Sequence, residues 1–305
     1  MKMPKRLRIS TLIRPVLCCL VLALSIALAP ASKADTTRAV YIWNGKTMIA
    51  SSTQTSAFFS FAAAPHGNSA KAVTQIYIAS GLLSDFSDST WVSEMTSFIT
   101  TAHNDGIMVY YLCGDPTWAE SSGESTGLSY ATAVMNFNAA NSSTTFDGFQ
   151  YDVEPYLLSG WPSTTLENGL LNLLWQAYNL KTSNDPELAM SSTIPFWYDS
   201  STYSYLDESV MDLTDEVVVM DYTNSATNLW SYASGEIEYA SYNGKAAWIA
   251  VDTNNEGTGS TTTFYGLGYT DMESVLGSDF STFDDYEGFA GYCIQDYTGW
   301  TAMGS

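Results

Sequence analysis

The chain has 305 residues, 46% hydrophobic and only 14% charged, a globular composition that excludes a disordered or low-complexity protein. Thirty-two Asp and Glu against 11 Lys and Arg give a net charge of −21 at pH 7, which repels nucleic acid and anionic membranes and suits either a neutral or cationic substrate or simply a salty habitat. With two histidines, and four cysteines that form no Cys-x-x-Cys pair, a zinc centre or a Ser-His-Asp triad is hard to build, so no metal or cofactor is expected.

Residues 1–34 read as an export signal. Lys2, Lys5, Arg6, Arg8 and Arg14 are the basic start, 16–29 is an apolar run too short to span a bilayer, and Ser32-Lys33-Ala34 is a small-x-small cleavage site. Cys18 and Cys19 lie in the apolar run without the small residues that precede a lipidated cysteine. The expectation is a secreted or periplasmic protein, free of the membrane once cleaved. Cleavage leaves five cations against 32 acids, a net charge of −27.

From residue 35 onward, short runs rich in β-branched and aromatic residues alternate with helix-length segments. Strands are expected at 38–43, 73–80, 107–113, 146–154, 188–194, 216–222, 246–251 and 289–296. Helices are expected at 90–102, 128–140, 165–181, 205–213, 228–239 and 272–283. Trp91, Met95, Phe98 and Ile99 make the apolar stripe of the first helix. Runs such as Glu216-Val-Val-Val-Met220 are hydrophobic on both faces, as parallel strands covered by helices are. Eight such units predict one α/β domain over 35–305, a closed (β/α)8 TIM barrel; no Gly-x-Gly-x-x-Gly turn supports two doubly wound halves. Cys113 and Cys293 fall on strands three and eight, which are not neighbours in a barrel, so both are expected as free thiols.

The stretch 147–155, Asp-Gly-Phe-Gln-Tyr-Asp-Val-Glu-Pro, carries the chemistry. Alternation along a strand turns Gln150, Asp152 and Glu154 to one face and Phe149, Tyr151 and Val153 to the other. Desolvating carboxylates is costly, and two of them one register apart perturb each other's titration, as an acid/base site requires. Barrel active sites lie at the carboxyl ends of the strands. That rim collects Trp43, Asp115, Trp118, Asp152, Glu154, Tyr156, Trp197, Met220, Asp221, Tyr222, Asp252, Gln295 and Asp296. Flat aromatics among acids and amides match the apolar faces and hydroxyl rims of sugars. Trp43, Trp118, Trp161, Trp197 and Trp230 are the candidate stacking platforms. Asp252-x-Asn254-x-Glu256 faintly resembles a calcium loop, but Thr263 occupies the position of the closing Glu.

At 147–154 and 220–223 the chain resembles the chitinase-like glycoside hydrolases of family 18. Asp147, Asp152 and Glu154 match that family's Asp-x-x-Asp-x-Asp-x-Glu, and Met220 and Tyr222 match its Met-x-Tyr. Gln150 stands where the family has an Asp, and strand eight offers Cys293, Ile294 and Gln295 where it usually has a Trp, so the strand-four motif is degenerate. The resemblance implies a glycosidase acting on a poly- or oligosaccharide, with Glu154 as general acid, Asp152 as orienting group, and Tyr222 holding the 2-acetamido oxygen that acts as nucleophile. A substrate without that group would need a second carboxylate. Asp221 and Asp252 are the candidates, although strand parity turns Asp221 away from Met220 and Tyr222 unless the strand has already ended. A carbohydrate-binding barrel without turnover is the alternative.

Overall fold

The computed structural model describes residues 37–304 apart from 204 and 258. The expected export signal lies outside the described residues. The elements in order are β1 (Arg38–Ile42), α1 (Gly45–Ile49), α2 (Ser52–Ala63), β2 (Val73–Ile78), α3 (Ser89–Asn104), β3 (Met108–Cys113), α4 (Glu124–Ala140), β4 (Gly148–Tyr151) and α5 (Thr164–Asn184). They continue with β5 (Ala189–Pro195), α6 (Leu206–Asp212), β6 (Glu216–Met220), α7 (Ala226–Asn243), β7 (Ala246–Asp252), α8 (Tyr269–Phe283), β8 (Phe289–Gln295) and α9 (Tyr297–Ala302). The eight strands pair in sequence order, all parallel, and β1 closes on β8. The chain is a (β/α)8 barrel, as its alternation of short apolar runs and helical segments implies.

Strand parity divides the core into two layers. Val40, Ile42, Phe149, Tyr151 and Val219 face outward into the packing between barrel and helices. Ala39, Tyr41, Tyr77, Tyr110, Leu112, Val218 and Trp248 fill the lumen. Each fully buried large apolar side chain contributes ~1.5–3 kcal/mol relative to its exposed state, and α3 alone buries Trp91, Met95, Phe98 and Ile99 on the expected stripe. The lumen floor is polar, and its one carboxylate is well supplied with donors. Glu216 accepts from Gln75 Nε2 at 2.8 Å, Tyr77 Oη at 2.6 Å and Trp248 Nε1 at 3.3 Å.

Helix starts follow local chemistry. Ser51, Asp88 and Ser163 each accept a backbone N–H of the first turn, and Gly244 ends α7 in the left-handed conformation. The helix α2 has no counterpart among the expected elements. Its sequence is mostly Ser, Thr and Ala, and only Phe58, Phe59 and Ala62 form its buried face, too short a stripe to register as a period. Cys113 and Cys293 are free thiols, Cys293 fully buried. No described helix is long and apolar enough to cross a membrane.

Candidate active site

β4 ends at Tyr151, sooner than its sequence pattern implies, but the alternation carries on beyond it. Asp152 N still donates to Cys113 O at 2.9 Å, and Val153 is buried outward while Asp152 and Glu154 turn inward. Gly114 permits this close approach, because a Cβ there would lie 1.9 Å from the Asp152 carbonyl oxygen. Pro155 follows Glu154 and opens a short turn, Pro155–Leu157, that stops the strand at the rim.

Asp152 and Glu154 open into a cavity of ≈ 380 Å³ at the carboxyl end of the barrel. Tyr41 and Trp43 from β1 and its exit, Thr193 from β5, Met220 and Tyr222 from β6 and its exit, and Gln295 from β8 complete the wall. Trp43 is 42% exposed, stacks on Tyr41 (centroids 5.6 Å apart, planes 10° apart) and donates from Nε1 to Gln295 Oε1 at 2.9 Å. Thr193 Oγ1 donates to Asp152 Oδ1 at 2.5 Å, and Tyr156 Oη donates to Glu154 Oε1. Burial, then the neighbouring Glu154 charge, pushes the Asp152 carboxyl up to about 6 against the opposing Thr193 hydrogen bond. Burial and the Asp152 charge also hold the Tyr222 phenol well above its ordinary value, so it is a neutral donor.

A crevice of ≈ 420 Å³ opens at the opposite end of the barrel, where Asn138 and Asp147 are engaged in bonds that hold the fold. Asn138 Nδ2 donates to Phe146 O at 3.0 Å. Asp147, the first residue of the strand-four motif, accepts from Val109 N at 2.7 Å and pairs with His103 at 2.9 Å. It ties β3 to β4 at the far end and does not reach the cavity.

Of the residues expected at the site, Trp43, Asp152, Glu154, Met220, Tyr222 and Gln295 line one cavity. Tyr156 stands behind it, bonded to Glu154, and Gln150 lies beneath it, wholly buried, donating from Nε2 to Ser191 Oγ at 3.0 Å. The others do not line it. Asp221 is fully buried on the outer side of the barrel, because its N–H still donates to Ala250 O and strand parity persists through it. Asp252 accepts from Asn254 N and Nδ2 at the end of β7. Asp115 accepts from Thr117 N and Oγ1, and Asp296 caps α9 through Gly299 N. Trp118 is 6% exposed and packs on Tyr130 and Tyr151. Trp197 and Trp161 belong to an aromatic cluster with Tyr156, Tyr198 and Tyr203, while Trp230 packs against Phe283 and Tyr286. Sequence reasoning missed Tyr41 and Thr193. Parity could have found Tyr41, which precedes Trp43 by two, whereas the sequence marks no residue of β5 as inward-facing from which Thr193 could be reached.

Compared by sequence, the chain matches no protein-family model and no curated protein. By structure it is similar to a family 18 (GH18) chitinase from Pseudoalteromonas aurantia, with TM-score 0.58 and 13% identity over 87% of this chain and 97% of that one. It is also similar to a GH18 chitinase from Cycas revoluta in complex with (GlcNAc)3, with TM-score 0.52 and 11% identity over 86% and 95%. A calcium-binding mutant of Bacteroides uniformis beta-glucuronidase 2 matches with TM-score 0.56 and 8% identity, over 86% of this chain and 30% of that one. At such identities the likeness is one of fold, the (β/α)8 barrel.

Proposed function

We propose that this protein is a secreted glycoside hydrolase acting on a poly- or oligosaccharide that contains N-acetylhexosamine. The observation that carries the reading is the convergence of Asp152, Glu154 and Tyr222 on one open cavity with an exposed tryptophan at its edge. Glu154 protonates the glycosidic oxygen as general acid. Asp152, ionised above about 6, orients and stabilises the reacting group, and Tyr222 donates to the substrate's 2-acetamido oxygen as that oxygen attacks the anomeric carbon. Asp152 and Glu154 are the only acids among the lining residues, which favours this substrate-assisted route over a second carboxylate from Asp221 or Asp252. The five described cations, Arg38, Lys46, Lys71, Lys181 and Lys245, all lie away from the lining, so neutral and cationic sugars suit the cavity better than uronic or sulfated ones.

The test is a panel of polysaccharides incubated with the protein and with Glu154→Gln. The expected result is release of oligosaccharides, with the variant still binding but slower by about 10²–10⁴-fold. Sugar binding without product in the native protein, and unchanged affinity in Glu154→Gln, would instead support the second reading, a carbohydrate-binding barrel. Gln150 in place of an acid beneath the pair is the observation in its favour.

A further inference from the structure

We infer that Thr193 is the positioning residue of this site: its hydroxyl, in place of an acid at position 150, fixes the Asp152 carboxylate beside Glu154. The inference rests on the proposed hydrolase reading for its consequence in turnover, but not for its geometry.

β4 and β5 are in register, with Gln150 opposite Ser191, so the next pair on the same face is Asp152 opposite Thr193. Each rung is closed by a hydroxyl of β5. Gln150 Nε2 donates to Ser191 Oγ at 3.0 Å, and Thr193 Oγ1 donates to Asp152 Oδ1 at 2.5 Å. The Gln150 amide is therefore turned along the barrel wall towards β5 and does not bond to Asp152. Glu154 has a separate donor, Tyr156 Oη. Two carboxylates one register apart are thus held by two different hydroxyls instead of sharing a proton with each other. Asp152 cannot swing towards Glu154 without giving up its hydrogen bond to Thr193.

The groups facing Asp152 are Glu154 and Tyr156 on its own segment, Cys113 on β3, Tyr41 on β1 and Tyr222 beyond β6. Burial keeps the thiol and the phenols neutral, which leaves Glu154, when ionised, as the one charge in view. Burial and that charge both disfavour ionised Asp152. A hydroxyl that donates to the carboxylate favours it. Thr193 therefore fixes the direction of the Asp152 oxygen and lowers the pH at which it ionises, against the larger effects of burial and Glu154.

The experiment is a carboxyl-carbon NMR titration of Asp152 in the full chain and in Thr193→Val, Thr193→Ser and Thr193→Ala. Loss of the donor in Thr193→Val should raise the Asp152 midpoint by about one pH unit. Thr193→Ser should keep it within a few tenths of the native value. Where turnover is measured, kcat should fall about tenfold in Thr193→Val with KM unchanged, and the acid limb of the pH profile should move up by the same interval. An unmoved or lowered midpoint in folded Thr193→Val would overturn the inference, as would an equal displacement in Thr193→Ser. If the valine variant does not fold, Thr193→Ala gives the same reading. A native protein without turnover but with a Thr193-dependent titration would sink the hydrolase reading alone; turnover with an indifferent titration would sink this inference alone.

Discussion

Two tryptophans at the same end of the barrel have opposite fates. Trp43 is held by one edge through Gln295 and by one face through Tyr41, and 42% of it is exposed at the cavity. Trp118 leaves its strand towards the helices and is buried against Tyr130 and Tyr151. Trp43→Ala should weaken sugar binding, read by titration calorimetry, and leave the thermal midpoint within a degree or two. Trp118→Ala should cost about 3–5 kcal/mol in urea denaturation, because it opens a cavity in packed core. Sequence alone could not tell the two apart, since both follow a strand by a few residues. What separates them is which way the exit loop turns.

At the scale of elements, the layer between β6 and helices α6, α7 and α8 is built around buried carboxyls whose burial favours the protonated form. Asp221 beyond β6, Asp207 on α6, Glu236 on α7 and Asp279 on α8 are buried, and six of their eight oxygens have no hydrogen-bond partner. Burial pushes Asp221 up to about 9, with nearby Asp279 adding to it, and pushes Asp207 and Asp279 up to about 6. Burial also raises Glu236 well above its ordinary value. Each folded value lies above the unfolded one near 4, so the folded chain holds more protons. The stability these groups contribute is complete below pH 4 and is lost as pH rises through about 6 and on towards 9. Urea midpoints should therefore decline from pH 5 to pH 9. Asp221→Asn, an isostere of the neutral acid, should be nearly silent at pH 5 and stabilising by at least ~2 kcal/mol at pH 9. A flat native profile, or a variant equally destabilised at both pH values, would show that these acids are ionised in the fold. Strand parity pointed Asp221 outward in the sequence; that three helices would bring further acids to it was not legible there.

Over the whole molecule the charge is strongly one-sided. Arg38 and Lys71 meet Glu273, Lys46 meets Asp85, Lys181 meets Asp215, and Lys245 donates to Thr214 O. The described cations are thus engaged within their own neighbourhoods, while the excess acid stays uncompensated. Screening should relieve that repulsion, so the thermal midpoint should rise between about 10 mM and 500 mM salt as the Debye length shrinks from ~30 Å to a few Å. A midpoint that falls over this range would count against net repulsion as a term in stability.

The alternation of apolar runs with helical stretches determined the barrel, because strand and helix periods are written within a few residues of chain. Parity along 147–155 likewise determined that Asp152 and Glu154 share a face. Which other groups meet them was decided only when the barrel closed. Closure sets β8 beside β1, so that Trp43 and Gln295, 252 residues apart, can bond. It also sets β5 in register with β4, so that Thr193 reaches Asp152. Local periods fix the direction of a side chain; its partners depend on contacts between distant strands, and no period of the chain encodes those.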